Sequence, residues 1–521
     1  MRDIQRPGRS TVYGTAGAAA TSQPLATYAA VELLHKGGNA VDAAIAACAV
    51  QCVVEPMGTG IGGDCFALLW RADNQRVIAL NGSGRSPAGL SPEFLQGRGL
   101  ETIGLDSVHS VTVPGAVDAW VRLHADHGKM PWRDVIEPAI RYAEEGFAVG
   151  PCTAIEWNAA VKRLGSNPAT ASQFLAAGAA PQAGDVWTMP MLARSLRAIA
   201  NAGRAGFYEG PVAADMVESL RAFGGTHTLE DFAATAATYV TPISGRYRDA
   251  EIVQMPPNSQ GLIALLILNA MKGTDLSAFE PQSAERFHVL AEATRLAFEV
   301  KAAGISEDGI TPARVDEMLG STFTRSLQDR IRSPGATEGE RDTVYVAVVD
   351  KDRNVCSFIN SIYMQFGSAL TSEKTGVLFH NRGADFVVAP GHPNSVAPRK
   401  RPTHTILPAL AMRDGRPWLA YGVKGAAYQP IGQAQVISNL LDHSMDLQEA
   451  IDDPRCAYDN GAISVERGIS EKIRNGLRAF GHDVVDAVLP LGGAQAVAID
   501  WQRGSLAAAS DPRKDGVALA Y

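Results

Sequence analysis

The chain has 521 residues, too long for one simple core, and its 46% hydrophobic and 20% charged residues are those of a globular protein, not a disordered or fibrous one. A net charge of -8, with no local cluster of Lys and Arg, leaves no basic footprint for nucleic acid or an anionic membrane, so a small molecule is the expected partner. The six cysteines are scattered without a C-x-x-C pair, which fits reduced, mostly buried thiols. The start, Met1 to Pro7, is not followed by the apolar run of a secretory signal, and the greasiest stretch, Leu262 to Met271, is too short to span a bilayer. Both point to a cytoplasmic protein.

Leu25 to Lys36 carries apolar residues at helical spacing and stops at Gly37-Gly38. Asn39 then has the chemistry of an N-cap for a second helix to about Gln51. A glycine loop, Gly58 to Asp64, leads into Cys65 to Trp70, and Val77 to Leu80 returns as the second arm of a strand hairpin. From Trp120 to about Gln328 the pattern is mainly amphipathic helix, as in Trp132 to Glu145, Met191 to Ala202, Val212 to Phe223 and Ala284 to Ala302. Ser333 to Asp342 is polar and glycine-bearing and reads as an exposed loop. Beyond it Thr343 to Val349 is β-branched and aromatic, turns over Asp350 to Asn354, and returns as Val355 to Ile359, a hairpin expected to be buried on both faces. Further hairpins are expected at Ile406–Met412 with Trp418–Gly422 and at Gln495–Asp500 with Ser505–Ala509, and helices at Ile431–Leu441 and Ser470–Phe480. Strands and helices in both halves predict stacked sheets covered by helices.

A Thr that opens a buried strand directly after a polar loop becomes self-activating if the peptide bond before it is cut. The freed α-amine, with a pKa of roughly 7.7 to 8, can take the hydroxyl proton near neutral pH without a histidine. Asp342-Thr343 has that layout, although a Thr at a strand start is more often structural. Other motifs lead nowhere. Gly58-x-Gly60-x-x-Gly63 precedes a strand instead of opening a helix, so no dinucleotide site is expected. His124-Ala125-Asp126-His127 has no third ligand in reach, so no metal is expected, and the absence of G-x-S-x-G argues against a serine-hydrolase elbow.

Pro24-Leu25-Ala26-Thr27, Gly37-Gly38-Asn39-Ala40-Val41-Asp42, Gly60-Ile61-Gly62-Gly63, Val113-Pro114-Gly115, Thr343 to Asn354, Phe366-Gly367, Lys400-Arg401-Pro402 and Ala509 to Arg513 occur in an order and spacing that resemble the γ-glutamyltransferase family from about Gly14 to Tyr521. The resemblance implies a four-layer αββα sandwich of the N-terminal-nucleophile hydrolases. It also implies a precursor that cuts itself into a large subunit, 1–342, and a small one, 343–521, forming one interwoven unit. It assigns Thr343 as nucleophile, Gly425-Ala426 as the backbone donors for the oxyanion, and Ser361 as a hydroxyl beside the nucleophile. No cofactor is implied, and a homo-oligomer is compatible with it.

The substrate clamp departs from the family. Its carboxylate-binding arginine is replaced by Ser83, with Arg85 two residues on as a substitute or merely a surface arginine. A family asparagine becomes Tyr363, a glutamine becomes Arg382, and a serine pair becomes His404-Thr405, while Asp385 is kept either as a substrate-amine partner or as an ion-pair partner of Arg382. These remodelled motifs resemble the branch that contains oxamate amidohydrolase and imply hydrolysis of a small carboxylated amide, oxamate giving oxalate and ammonia. Arg382, His404 and Lys424 are the candidate cations for its carboxylate. The alternatives are a full γ-glutamyltransferase acting on glutathione and, in another class, a scaffold that binds a ligand and never cleaves.

Overall fold

The computed structural model describes residues 5, 8–331, 343–459 and 461–521, so the expected loop at Ser333 to Asp342, and Asp342 itself, lie outside the described residues. Two seven-stranded sheets form the centre. The first runs from edge to edge through Val517–Ala520, Ala18–Thr21, Val344–Val349, Val355–Ser361, Asp64–Arg71, Arg76–Gly82 and Thr238–Val240. The second runs through Val12–Gly14, Ser505–Ser510, Gly493–Asp500, Arg416–Lys424, Ala409–Arg413, Ala250–Gln254 and Ile243–Tyr247. Neighbouring strands pair antiparallel throughout both sheets.

The period-two alternation of a strand divides its side chains between two cores. Tyr345, Ala347 and Val349 point between the sheets, where Leu410, Ala420 and Val497 of the second sheet meet them. Val346 and Val348 point outward to the helix Ala40–Val54 and its neighbours. That helix has all fifteen residues buried, and a capping box holds its start: Asn39 accepts from the Val41 and Asp42 amides while Asp42 accepts from the Asn39 amide. On the far side, Leu419, Tyr421 and Val423 pack against the helices Gly261–Met271, Ala284–Ala302 and Gln429–Leu441. The layers are therefore helix, sheet, sheet, helix, the expected αββα sandwich. No helix among the described residues is long and apolar enough to cross a membrane.

The Trp120–Gln328 stretch is mainly helical and also holds three strands: Thr238–Val240 and Ile243–Tyr247 at sheet edges, and Ala250–Gln254 next to the second of these. Ala18–Thr21 is also a strand, although three alanines favour helix, because Ala18 to Thr21 pairs with Val344–Val349 on one side and Val517–Ala520 on the other. The hairpin expected from Ile406 begins its ladder only at Ala409. The amides of Ile406 and Leu407 are spent on His404 Nδ1 at 3.3 Å and Gln429 Oε1 at 3.1 Å, outside the ladder.

Close approach between the sheets depends on Gly422, where an added Cβ would lie 2.4 Å from the Tyr345 ring. Gly422→Val is expected to cost ~1–3 kcal/mol by overpacking, read as a lower urea midpoint.

Candidate active site

Thr343 precedes a strand whose register pairs Val344 with Asn360, so Thr343 falls beside Ser361. The two hydroxyls lie 3.2 Å apart, and both residues are buried. Ser361 Oγ also accepts the Tyr363 amide at 2.9 Å, which fixes the direction of its lone pairs. The glycine loop runs alongside: a Cβ on Gly58 would come within 3.0 Å of Val344 Cγ1 and 3.5 Å of the Thr343 carbonyl oxygen. Gly63 likewise has no room for a side chain, since its Cβ would stand 2.3 Å from the Ser361 carbonyl oxygen. Gly58 thus allows close backbone approach to Thr343-Val344, and Gly63 to Ser361.

The ladder between Arg416–Lys424 and Gly493–Asp500 ends at the Lys424–Gly493 pair. Past it, Gly425 at φ 127° and Ala426 at φ 42° turn the chain toward the helix Gln429–Leu441. The first of these conformations suits glycine. Gln260 Nε2 donates to the carbonyls of Ala426 and Thr405, both at 2.8 Å, and so ties this turn to the 404–405 segment. Beneath it, Lys424 Nζ donates to Glu55 Oε1 at 2.9 Å, both groups being buried. Glu55 in turn receives the Ser22 hydroxyl at 2.5 Å, and its carbonyl accepts the Gly58 amide. The Glu55–Gly63 segment thus touches both Thr343-Val344 and Lys424, the residue before the Gly425–Ala426 turn.

The replaced clamp residues form one cluster. Arg382 is fully buried, donates to Thr405 Oγ1 at 2.9 Å, lies 3.5 Å from Asp385 and stacks its guanidinium 3.8 Å over the Tyr363 ring. The Tyr363 hydroxyl donates to Asp385. Asp385 therefore contacts both Tyr363 and Arg382. His404 donates Nε2–H to Asp64 at 3.1 Å and accepts at Nδ1, and burial together with the nearby Arg382 charge pushes its pKa down to about 4. That value puts it on the neutral side at neutral pH. Lys424 is paired with Glu55, and Arg382 with Asp385.

Two further residues are placed elsewhere. Ser83 hydrogen-bonds Asn81 Oδ1 through its amide and hydroxyl at 3.0 and 2.7 Å and receives Asn258 Nδ2 at 3.2 Å. Arg85 forms a two-point pair with Glu307 at 2.7 and 2.8 Å, the same carboxylate that Arg401 reaches at 3.1 Å, so Arg85 acts as a brace between loops. Among the described residues no cluster of His, Cys, Asp or Glu is arranged to hold a metal, and His124 is occupied with the Met130 carbonyl at 2.8 Å.

Sequence reasoning missed Asp64, which sits opposite Ser361 in the neighbouring strand and collects the Gly84 amide at 2.8 Å, the Gly115 amide at 3.2 Å and His404. Its signal was an acid directly after a glycine loop, but the partners lie 20 to 340 residues away. Burial alone would raise the Asp64 pKa; His380, His404 and the Gly84 amide outweigh it and hold it at about 2. Because this folded-state value lies below the roughly 3.9 of an unfolded Asp, its stabilisation is complete above pH ~4 and is lost as pH falls through 2. Asp64→Asn is expected to flatten the decline of the urea midpoint between those pH values.

An open cleft of 470 Å³ runs from Met364, next to Tyr363, to Gly425. Comparison with known proteins places this arrangement. A solved structure, cephalosporin acylase from Bacillus halodurans, superposes with a TM-score of 0.94 at 36% identity over 99% of this chain and 98% of that one. The glutathione hydrolase-like YwrD proenzyme of Bacillus subtilis (strain 168) is 37% identical over 98% of this chain and 99% of its own length. The oxamate amidohydrolase proenzyme of Klebsiella pneumoniae subsp. pneumoniae is 33% identical over 98% of this chain and 100% of its own. The family profile for Gamma-glutamyltranspeptidase matches residues 26–521, and with nearly full-length relatives above 30% identity the chain belongs to the gamma-glutamyltranspeptidase family.

Proposed function

We propose that the chain is a proenzyme that cleaves itself between Asp342 and Thr343 and then works as an amidohydrolase, with Thr343 as nucleophile and a small carboxylated, oxamate-like amide as substrate. The observation that carries this reading is the Thr343 hydroxyl, buried against Ser361 at the head of a central strand. In the precursor Thr343 Oγ attacks the Asp342 carbonyl, the peptide C–N bond breaks as the acyl group moves to oxygen, and water hydrolyses the ester. The products are 1–342 and 343–521. They stay together because strands from before and after residue 343 pair with one another in both sheets, so separation would open two cores.

In the mature enzyme the α-amine of Thr343 takes the Oγ proton as Oγ bonds to the substrate carbonyl carbon. The Gly425 and Ala426 amides stabilise the resulting oxyanion, and Ser361 orients the nucleophile. The C–N bond then breaks, the nitrogen leaves carrying that proton, and water releases the acid from the ester. Arg382, held by Thr405, Asp385 and the Tyr363 ring, is the cation proposed to meet the substrate carboxylate. Relatives described as proenzymes, one of them an oxamate amidohydrolase, support the reading. A second reading, hydrolysis of glutathione, is favoured by the name of the 37% identical relative; against it, Ser83 stands where the family clamp has an arginine, and it is engaged with Asn81 and Asn258.

On a denaturing gel the purified protein is expected as two fragments, the smaller beginning at Thr343, while Thr343→Ala stays full length and inactive. A persistent single wild-type band would overturn the reading and favour a non-cleaving scaffold. Ser361→Ala, which removes one hydrogen bond, is expected to slow cleavage roughly tenfold. Ammonia from oxamate without amine release from a γ-glutamyl anilide decides between the two substrates; the reverse pattern selects glutathione.

A further inference from the structure

Thr343 and the Gly425–Ala426 turn belong to different sheets. Thr343 heads Val344–Val349 of the first sheet, and the turn follows Arg416–Lys424 of the second. Backbone ladders fix the strands within each sheet, but stacked sheets stand roughly 10 Å apart with only side chains between them. Lys424 joins the two layers. Its Nζ donates to Glu55 Oε1 at 2.9 Å, and 0% and 2% of the two side chains are exposed. The other carboxylate oxygen of Glu55 is held from the side of the first sheet, by the Ser22 hydroxyl at 2.5 Å and Gln51 Nε2 at 3.3 Å. Ser22 directly follows Ala18–Thr21, the strand paired with Val344–Val349, and Gln51 lies in the helix packed on that sheet. The Glu55 carbonyl accepts the Gly58 amide at 3.1 Å, and Gly58 lies against Thr343. At the second sheet Lys424 runs straight into Gly425, and its carbonyl oxygen would stand 2.3 Å from a Cβ on Gly492, so the turn is packed against neighbouring backbone. Both ends of the ion pair are therefore anchored.

We infer that Lys424 and Glu55 are positioning residues for catalysis: their ion pair sets the distance between the Thr343 hydroxyl and the Gly425–Ala426 amides, and so acts on the transition state instead of on substrate binding. The role rests on the reading above of Thr343 as nucleophile and of those amides as oxyanion donors. In it neither side chain meets the substrate or moves a proton. The substrate carbonyl gains its negative charge only as the bond to Oγ forms, so donors held at a wrong distance lose more interaction with the oxyanion than with the neutral carbonyl. Stability alone is a weak reason for such a pair, because apolar residues of similar volume are often as stable in its place.

The test is ammonia release from oxamate by the wild type, by Lys424→Met, and by the double variant Glu55→Gln with Lys424→Met. The double variant keeps side chains of similar size and leaves no unpaired charge in the core. Rates are taken per cleaved chain, counted on a denaturing gel. Both variants are expected to cleave into two fragments, with kcat lower by roughly 10- to 100-fold and KM within about twofold of the wild type. Wild-type kcat in the double variant, or a loss carried by KM, would overturn the inference and leave the amidohydrolase reading intact. So would failure of both variants to cleave, which assigns the pair to folding or maturation. No ammonia from the wild type would sink that reading, and the inference with it.

Discussion

The site depends on one strand pairing. Val344–Val349 is hydrogen-bonded between Ala18–Thr21 and Val355–Ser361 at the centre of a sheet buried on both faces. That register leaves Thr343 no choice of neighbour: its hydroxyl must lie beside Ser361, and its backbone must pass under the glycine loop. A slip of one residue would turn Tyr345 and Ala347 out of the core between the sheets and send Val346 and Val348 into it, which a two-sided core does not allow. Thr343 is therefore positioned by hydrophobic packing along the whole strand that it heads.

The rest of the site is built on that fixed point from distant pieces. Glu55 and Lys424, 369 residues apart, join the start of the glycine loop to the Gly425–Ala426 turn through a buried ion pair. Asp64 and His404, 340 residues apart, join the strand beside Ser361 to the segment that carries Thr405. A buried ion pair such as Glu55–Lys424 adds little net stability, because desolvation offsets the attraction, but losing one partner of either contact strands a polar group in the core. Their consequence here is geometric: they lock segments from both sides of residue 343 into one frame, which a cut before Thr343 would leave standing.

Much of the fold was legible because its signals are local. The helices Trp132–Glu145 and Ala284–Ala302 have the limits their periodicity implies, and Asn39 is the N-cap its position suggested. What escaped was set by tertiary contact. Ala18–Thr21 is a strand only because two partners hold it there, and Asp64 is a hub only because four segments converge on it. Within the site, the Asp342-Thr343 layout was legible in the residues themselves, while Ser361 and Gly425-Ala426 came only from the family resemblance. Arg85, His404 and Lys424 are all basic in sequence; in the fold the first pairs with Glu307, the second is a neutral donor to Asp64, and the third pairs with Glu55.

The central claim is that Thr343 carries the acyl group during turnover. Mass spectrometry of enzyme quenched while hydrolysing an oxamate is the direct measurement. The small fragment should gain the mass of the acyl group, and peptide mapping should place it on residue 343. Steady turnover with no adduct on residue 343, or with the adduct on another side chain, would contradict the account.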